Sequence, residues 1–110
     1  MATIKSSREI DRVFREAERA AHPLIIVLAT KTPQGRGREG RVAFIAGKKL
    51  GNAVVRNRSK RVLRETARRC GAPWSDHDVL LIARSATRDA APGDLDHALS
   101  SLLGRRGIVS

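Results

Sequence analysis

One segment constrains this chain more than any other. Lys48 to Arg69, KKLGNAVVRNRSKRVLRETARR, carries nine lysines or arginines against one acidic residue, Glu65. Wound at about 100° per residue, it becomes a helix with two unlike sides. Val55, Ser59, Val62, Leu63, Thr66 and Cys70 fall together and predict a face packed on a sheet. Asn57, Lys60, Arg61, Arg64 and Arg68 fall opposite, with Arg56 and Arg58 on the flanks.

A charged helix face is ordinarily a solvated face, and alternating signs would support that reading. Here the signs do not alternate. Like charges four residues apart, Lys60–Arg64 and Arg64–Arg68, each weaken an isolated helix by a few tenths of a kcal/mol. Arg56 and Arg58 lie near the helix N-terminus, where the helix dipole disfavours cations. These small penalties share one sign, and an external polyanion would reverse them. Arginine also outnumbers lysine here, and its planar fork grips phosphate with paired hydrogen bonds and stacks on bases. Asn57 both donates and accepts, which suits a base edge, a 2′-OH or a hydrated metal ion. Read without a ligand, it is an ordinary polar surface residue.

The whole chain agrees with the segment. It has 22 Lys+Arg against 11 Asp+Glu, a net charge of +11 over 110 residues. Such an excess repels itself unless a polyanion is near, and nucleic acid is the usual partner because neutralised phosphates release counterions. The length fits one domain, residues 1–110. With aromatics at only 3% (Phe14, Phe44 and Trp74), the core must be built from Val, Ile, Leu and Ala. A single cysteine, Cys70, excludes an internal disulfide, and His22, His77 and His97 lack metal-type spacing. No metal site in the protein is expected. No apolar run is long enough to span a bilayer, and Met1 to Arg8 has no signal-peptide character. A cytoplasmic protein with no membrane association is therefore expected.

Along the chain, Ser6 to Ala21 reads as a first helix. Ser6 and Glu9 fit a capping box, and Ile10, Val13, Phe14 and Ala17 share a face. Pro23 stops it. Leu24 to Ala29 and Arg41 to Ala46 read as strands of an antiparallel hairpin, joined by the glycine-rich stretch Thr30 to Gly40. A further short strand near the first loop is left open. The loop from Gln34 to Gly40 is read either as mobile or as a further RNA contact through Arg36, Arg38 and Arg41. Asn52 is the expected N-cap of the basic helix, which ends at Cys70-Gly71 with Pro73 beyond. Asp78 to Ala83, with the apolar run Val79-Leu80-Leu81-Ile82, reads as a central strand. Leu95, Ala98, Leu99, Leu102 and Leu103 mark a last amphipathic helix. The fold class is α+β.

Arg41 to Glu65, RVAFIAGKKLGNAVVRNRSKRVLRE, resembles the signature of the bacterial ribonuclease P protein family, with Arg56-Asn57-Arg58 followed by Lys60 and Arg61 at its centre. The flanks agree: Ile10-Asp11-Arg12-Val13-Phe14 resembles the family's first helix, and Asp78 to Arg84 the strand after the basic helix. The resemblance spans nearly the whole chain. It implies an α-β-β-β-α-β-α sandwich with a left-handed βαβ crossover, similar to the ribosomal protein S5 domain 2-like fold. It also implies a protein subunit of a ribozyme. The RNA partner would cut the 5′ leader from precursor tRNA with Mg²⁺ held through the RNA, and the protein, one copy per RNA, would bind the leader and support the metal-dependent chemistry. No catalytic residue is then expected in the protein. Ser75 and His77, a superficially suggestive pair, read as polar turn residues.

Two surfaces follow from the resemblance. The basic helix would contact the catalytic RNA through Arg56, Asn57, Arg58, Lys60, Arg61, Arg64 and Arg68, with Lys48, Lys49 and Asn52 just before it. A cleft between the first helix and the sheet would hold the leader, lined by Ile10, Phe14, Ile26 and Leu28, with Arg84 reaching its backbone. Unpaired bases stack on aromatic rings. Ile10 and Leu28 stand where the family often carries aromatics, which weakens stacking, and Phe14 is balanced between leader contact and core. Phe44 reads as core. The rival readings are a ribosomal or RNA-chaperone protein with no link to cleavage, and a helix-turn-helix DNA binder. The second is disfavoured because the basic helix lies between strands rather than after a short helix.

Overall fold

A computed structural model of the chain describes residues 2–33, 35 and 37–108. The elements run α1 (Ser7–Glu16), β1 (Glu18–His22), β2 (Ile25–Lys31), β3 (Arg41–Ile45), α2 (Ala53–Arg69), β4 (His77–Ala83) and α3 (Pro92–Arg105), with short 3₁₀ turns at Lys48–Leu50 and Thr87–Asp89. The strands form one sheet in the order β1-β2-β4-β3. β1 and β2 are antiparallel, β2 and β4 antiparallel, and β3 and β4 parallel across the α2 crossover.

This topology corrects the expected β2–β3 hairpin. β4 lies between those two strands. The reason is in its composition: Val79, Leu80 and Leu81 are all fully buried, so the strand needs neighbours on both edges and cover on both faces. β2 already has a partner on its other edge in β1.

β1 also corrects the first helix, which stops at Glu16, with Ala17 extended. Glu18-Arg19-Ala20-Ala21 are good helix formers by propensity, and Ala20 and Ala21 even continue the helical spacing from Ala17. They pair instead with β2 through the two-residue turn Pro23-Leu24, and tertiary pairing overrides the local preference. The capping box does not form either. Ser6 is the N-cap without a side-chain bond, and the Glu9 carboxylate turns to Arg41.

Alternation divides the sheet into two faces. Ala20, Ile25, Val27, Val42, Val79, Leu81 and Ala83 join Leu63 and Ala67 of α2 and Ala98, Leu99, Leu102 and Leu103 of α3 in the larger core. On the other face Leu28, Leu80 and Ala43 pack against Val13 of α1 and Ile4. The N-terminal segment closes the free edge of β3: Ile4 N–H donates to the Val42 carbonyl (3.0 Å) and Val42 N–H to that of Ala2 (3.1 Å). Gly40, at the entrance to β3, is buried against the Trp74 carbonyl, where a Cβ would sit 1.8 Å from the oxygen. Trp74 in turn donates its indole N–H to the Cys70 carbonyl at the end of α2 (3.2 Å).

Candidate nucleic-acid interface

α2 starts as its sequence predicts, with the Asn52 side chain accepting from Val55 N–H at 3.0 Å. Ser59, Leu63, Thr66 and Ala67 form the buried face. The two hydroxyls are tolerated there because each donates to a carbonyl one turn back, Ser59 to Val55 (3.0 Å) and Thr66 to Val62 (2.9 Å). Asn57, Arg58, Arg61, Arg64 and Arg68 are exposed. Arg56 and Lys60 are half-covered, so Lys60 belongs with the flanks rather than with the open side. Lys48 and Lys49 are exposed on the turn just before the helix.

Among the described residues, none of these cations lies within ion-pair distance of a carboxylate, whereas Arg12, Arg38, Arg41, Arg69, Arg88 and Arg106 all do. Val54, Asn57, Arg58, Arg61 and Arg64 line a groove of about 550 Å³. Val54, 75% exposed, is an apolar patch within it. The Arg64 guanidinium lies over the Phe44 ring, 5.2 Å from its centroid. Phe44 is thus only half core: it packs against the larger cluster and also carries a cation.

The second expected surface exists as a cleft of about 360 Å³, lined by Phe14, Ala17, Arg19, Ile26, Leu28 and Ile82. Its floor follows from register. Leu28 pairs with Leu80 and Ile26 with Ile82, so two apolar rows cross this face. α1 covers the first row; Ile26 and Ile82 in the second are only half-buried. Phe14 is 48% exposed, which removes it from the core. Ile10 corrects the prediction: it packs beneath α1 with Val13 and does not line the cleft. Arg84 is exposed but also outside the lining. Its backbone is fixed by Thr87, whose hydroxyl accepts from Arg84 N–H (2.8 Å) and donates to the Leu24 carbonyl (2.6 Å). Ala17, Arg19 and Ile82 were missed. The helical spacing marks Ala17, but Arg19 and Ile82 join the cleft only through strand pairing.

A feature with no sequence signal fastens α1 to the sheet. The fully buried Asp78 carboxylate accepts from Arg12 of α1 (2.9 Å) and Arg41 of β3 (3.0 Å). Arg41 also meets Glu9, and Arg12 meets Glu16 (3.1 Å). The bond to Glu9, ahead of that to Asp78, holds the Arg41 guanidinium above its ordinary pKa despite burial. Arg41 therefore serves the fold and is withdrawn from the loop contacts expected of it. Arg38 is likewise engaged, with both Asp76 oxygens (3.2 and 3.0 Å), while Gln34 and Arg36 lie outside the described residues. Ser75 lies in the turn as expected, but His77 opens β4 opposite Lys31, its Nδ1 within hydrogen-bond distance of the Ser75 carbonyl (2.9 Å). Among the described residues, no group of three or more His, Cys, Asp or Glu is arranged to hold a metal ion, and no helix is long and apolar enough to cross a membrane.

The Ribonuclease P family model matches residues 1–107. The chain belongs to the ribonuclease P protein family. Among similar relatives is the Ribonuclease P protein component of Oceanobacillus iheyensis, 34% identical over 108 residues, which cover 96% of this chain and 87% of the relative. That of Symbiobacterium thermophilum is also 34% identical, over 110 residues, covering 96% and 91%. The fold agrees with the Staphylococcus aureus RNase P protein at a TM-score of 0.81, with 24% identity, over 100% of this chain and 99% of that one. It agrees with the RNase P protein from Thermotoga maritima at a TM-score of 0.77, also with 24% identity, over 96% and 97%. The mixed α+β architecture is that of ribonuclease P proteins.

Proposed function

We propose that this ribonuclease P component binds the catalytic RNA through the open face of α2 and the 5′ leader of precursor tRNA through the α1–sheet cleft. The observation that carries the reading is the pairing pattern. Arg58, Arg61, Arg64 and Arg68 of the open α2 face have no carboxylate partner among the described residues, whereas Arg69 at the helix end and Arg12, Arg38 and Arg41 are each paired. A face of unneutralised arginines around Asn57 is complementary to an RNA backbone, which holds planar bidentate groups and shape-dependent contacts together.

In this reading Arg58, Arg61, Arg64 and Arg68 grip phosphates, with Arg56, Lys60, Lys48 and Lys49 at the margins. Asn57 reaches a base edge or a 2′-OH. Asn52 acts indirectly, by capping the helix. In the cleft, Phe14 offers its ring to an unpaired base and Arg19 a cation to the adjoining phosphate, over a floor of Ile26, Leu28 and Ile82. Arg84 extends the basic path beyond the lining. Ile10 supports α1 from below. Mg²⁺ and the bond-breaking chemistry belong to the RNA, and the protein's part is to hold the substrate against it, as one copy per RNA in the cytoplasm.

The test is cleavage of precursor tRNA by bacterial ribonuclease P RNA at low Mg²⁺, with and without this protein. Stimulation that depends on the leader supports the proposal. Equal binding of leader-bearing and mature tRNA, without stimulation, would favour a general RNA chaperone.

A further inference from the structure

We infer that Phe44 is a positioning residue for RNA binding: its ring holds the Arg64 guanidinium flat and ready in the α2 groove. The inference rests on the reading of α2 as the RNA-binding face and goes beyond it, because it gives an RNA-facing task to a residue of the sheet.

Three observations support it. First, the Arg64 guanidinium carbon lies 5.2 Å from the Phe44 ring centroid, the only such pair among the described residues. At this range the ring's negative face attracts the cation. Second, Phe44 is itself rigid. It sits in β3, paired with Leu81 of the central strand, and packs against the larger core. The ring is thus a fixed platform rather than a second mobile side chain. Third, Arg64 is exposed and has no carboxylate partner among the described residues, and it shares its groove with Val54, Asn57, Arg58 and Arg61.

A free arginine loses rotamer freedom when it binds. One already resting on a ring has lost part of that freedom before the RNA arrives, so more of its interaction appears as affinity. The ring occupies one face of the guanidinium. The edge N–H groups remain for phosphate, and the outer face remains for a base. Lysine at this position would keep the charge but not the planar stack.

The experiment is a double-mutant cycle on the full chain, read as affinity for transcribed bacterial ribonuclease P RNA at fixed salt. Phe44→Leu should weaken binding about two- to fivefold, the worth of an exposed cation–π contact, and Phe44→Tyr should restore it. Arg64→Lys should weaken binding comparably in the wild-type background and have little further effect in the Phe44→Leu background. Thermal unfolding of each variant checks that binding is compared between folded proteins; where Phe44→Leu is destabilised, the same cycle is run with Phe44→Met, which keeps an apolar side chain of similar length without a ring, and the same loss and the same non-additivity with Arg64→Lys are expected. Strictly additive losses, or a Tyr variant as weak as the Leu variant, would overturn the inference while leaving the α2 interface intact. Failure of the wild-type protein to bind the RNA would overturn both.

Discussion

The open face of α2 and the α1–sheet clasp are both rich in arginine, yet they do opposite things with it. On α2, Arg58, Arg61, Arg64 and Arg68 are exposed, with no carboxylate in reach among the described residues. In the clasp, Arg12 and Arg41 converge on the buried Asp78, with Glu9 and Glu16 beside them. Net charge alone does not distinguish the two. Pairing does: a neutralised arginine builds the fold, and an unneutralised one is available to a polyanion.

The largest effect should come from breaking the clasp. Asp78→Ala leaves two part-buried arginines without their shared carboxylate and should cost roughly 3 kcal/mol or more, read from urea denaturation. A cost below about 1 kcal/mol, the range of a surface pair, would show that the clasp does not hold α1 in place. Next is Gly40→Ala, where the new Cβ meets the Trp74 carbonyl at 1.8 Å. The strand entrance must shift, at a cost of about 2 kcal/mol, visible as a lower Tm with unchanged RNA affinity per folded molecule.

Phe14→Ala sharpens the comparison from the other side. The ring is half-exposed, so its loss should reduce the preference for leader-bearing over mature tRNA about fivefold, the lower end of base–aromatic stacking. A large fall in Tm with that preference intact would return Phe14 to the core. The smallest effect concerns Asp76, whose bond to Arg38 holds its carboxyl below the usual range. Because the folded-state pKa is depressed, the pair stabilises the protein above the ordinary aspartate range. That contribution is lost as pH falls through the lowered value. The side chains are exposed, so the Tm difference between wild type and Arg38→Ala should be slight at neutral pH, shrink in acid and fade in high salt.

Much of this was legible in the sequence, for identifiable reasons. α2, α3 and β4 were found because a single period or an unbroken apolar run specifies each within one window. The face of Arg58, Arg61, Arg64 and Arg68 followed directly from helical geometry. β1 was not legible, since Glu18-Arg19-Ala20-Ala21 favours helix until β2 is there to pair with it. The separation of β2 from β3 depends on β4, more than thirty residues further along the chain. The clasp was hidden for the same reason: Asp78 looks like the polar start of an apolar strand until Arg12 and Arg41 arrive from elsewhere. Arg19 and Ile82 entered the cleft, and Ile10 left it, through pairing and packing that no local pattern encodes.

The most direct test of pairing as the guide to the RNA face is the salt dependence of binding to ribonuclease P RNA for two charge-equivalent variants. Arg61→Ala removes an exposed, unpaired cation of α2. Arg38→Ala removes an exposed cation already paired with Asp76. The account predicts that Arg61→Ala lowers the magnitude of the log–log salt slope by about one, while Arg38→Ala leaves it at the wild-type value. Equal reductions, or an unchanged slope in Arg61→Ala, would contradict it.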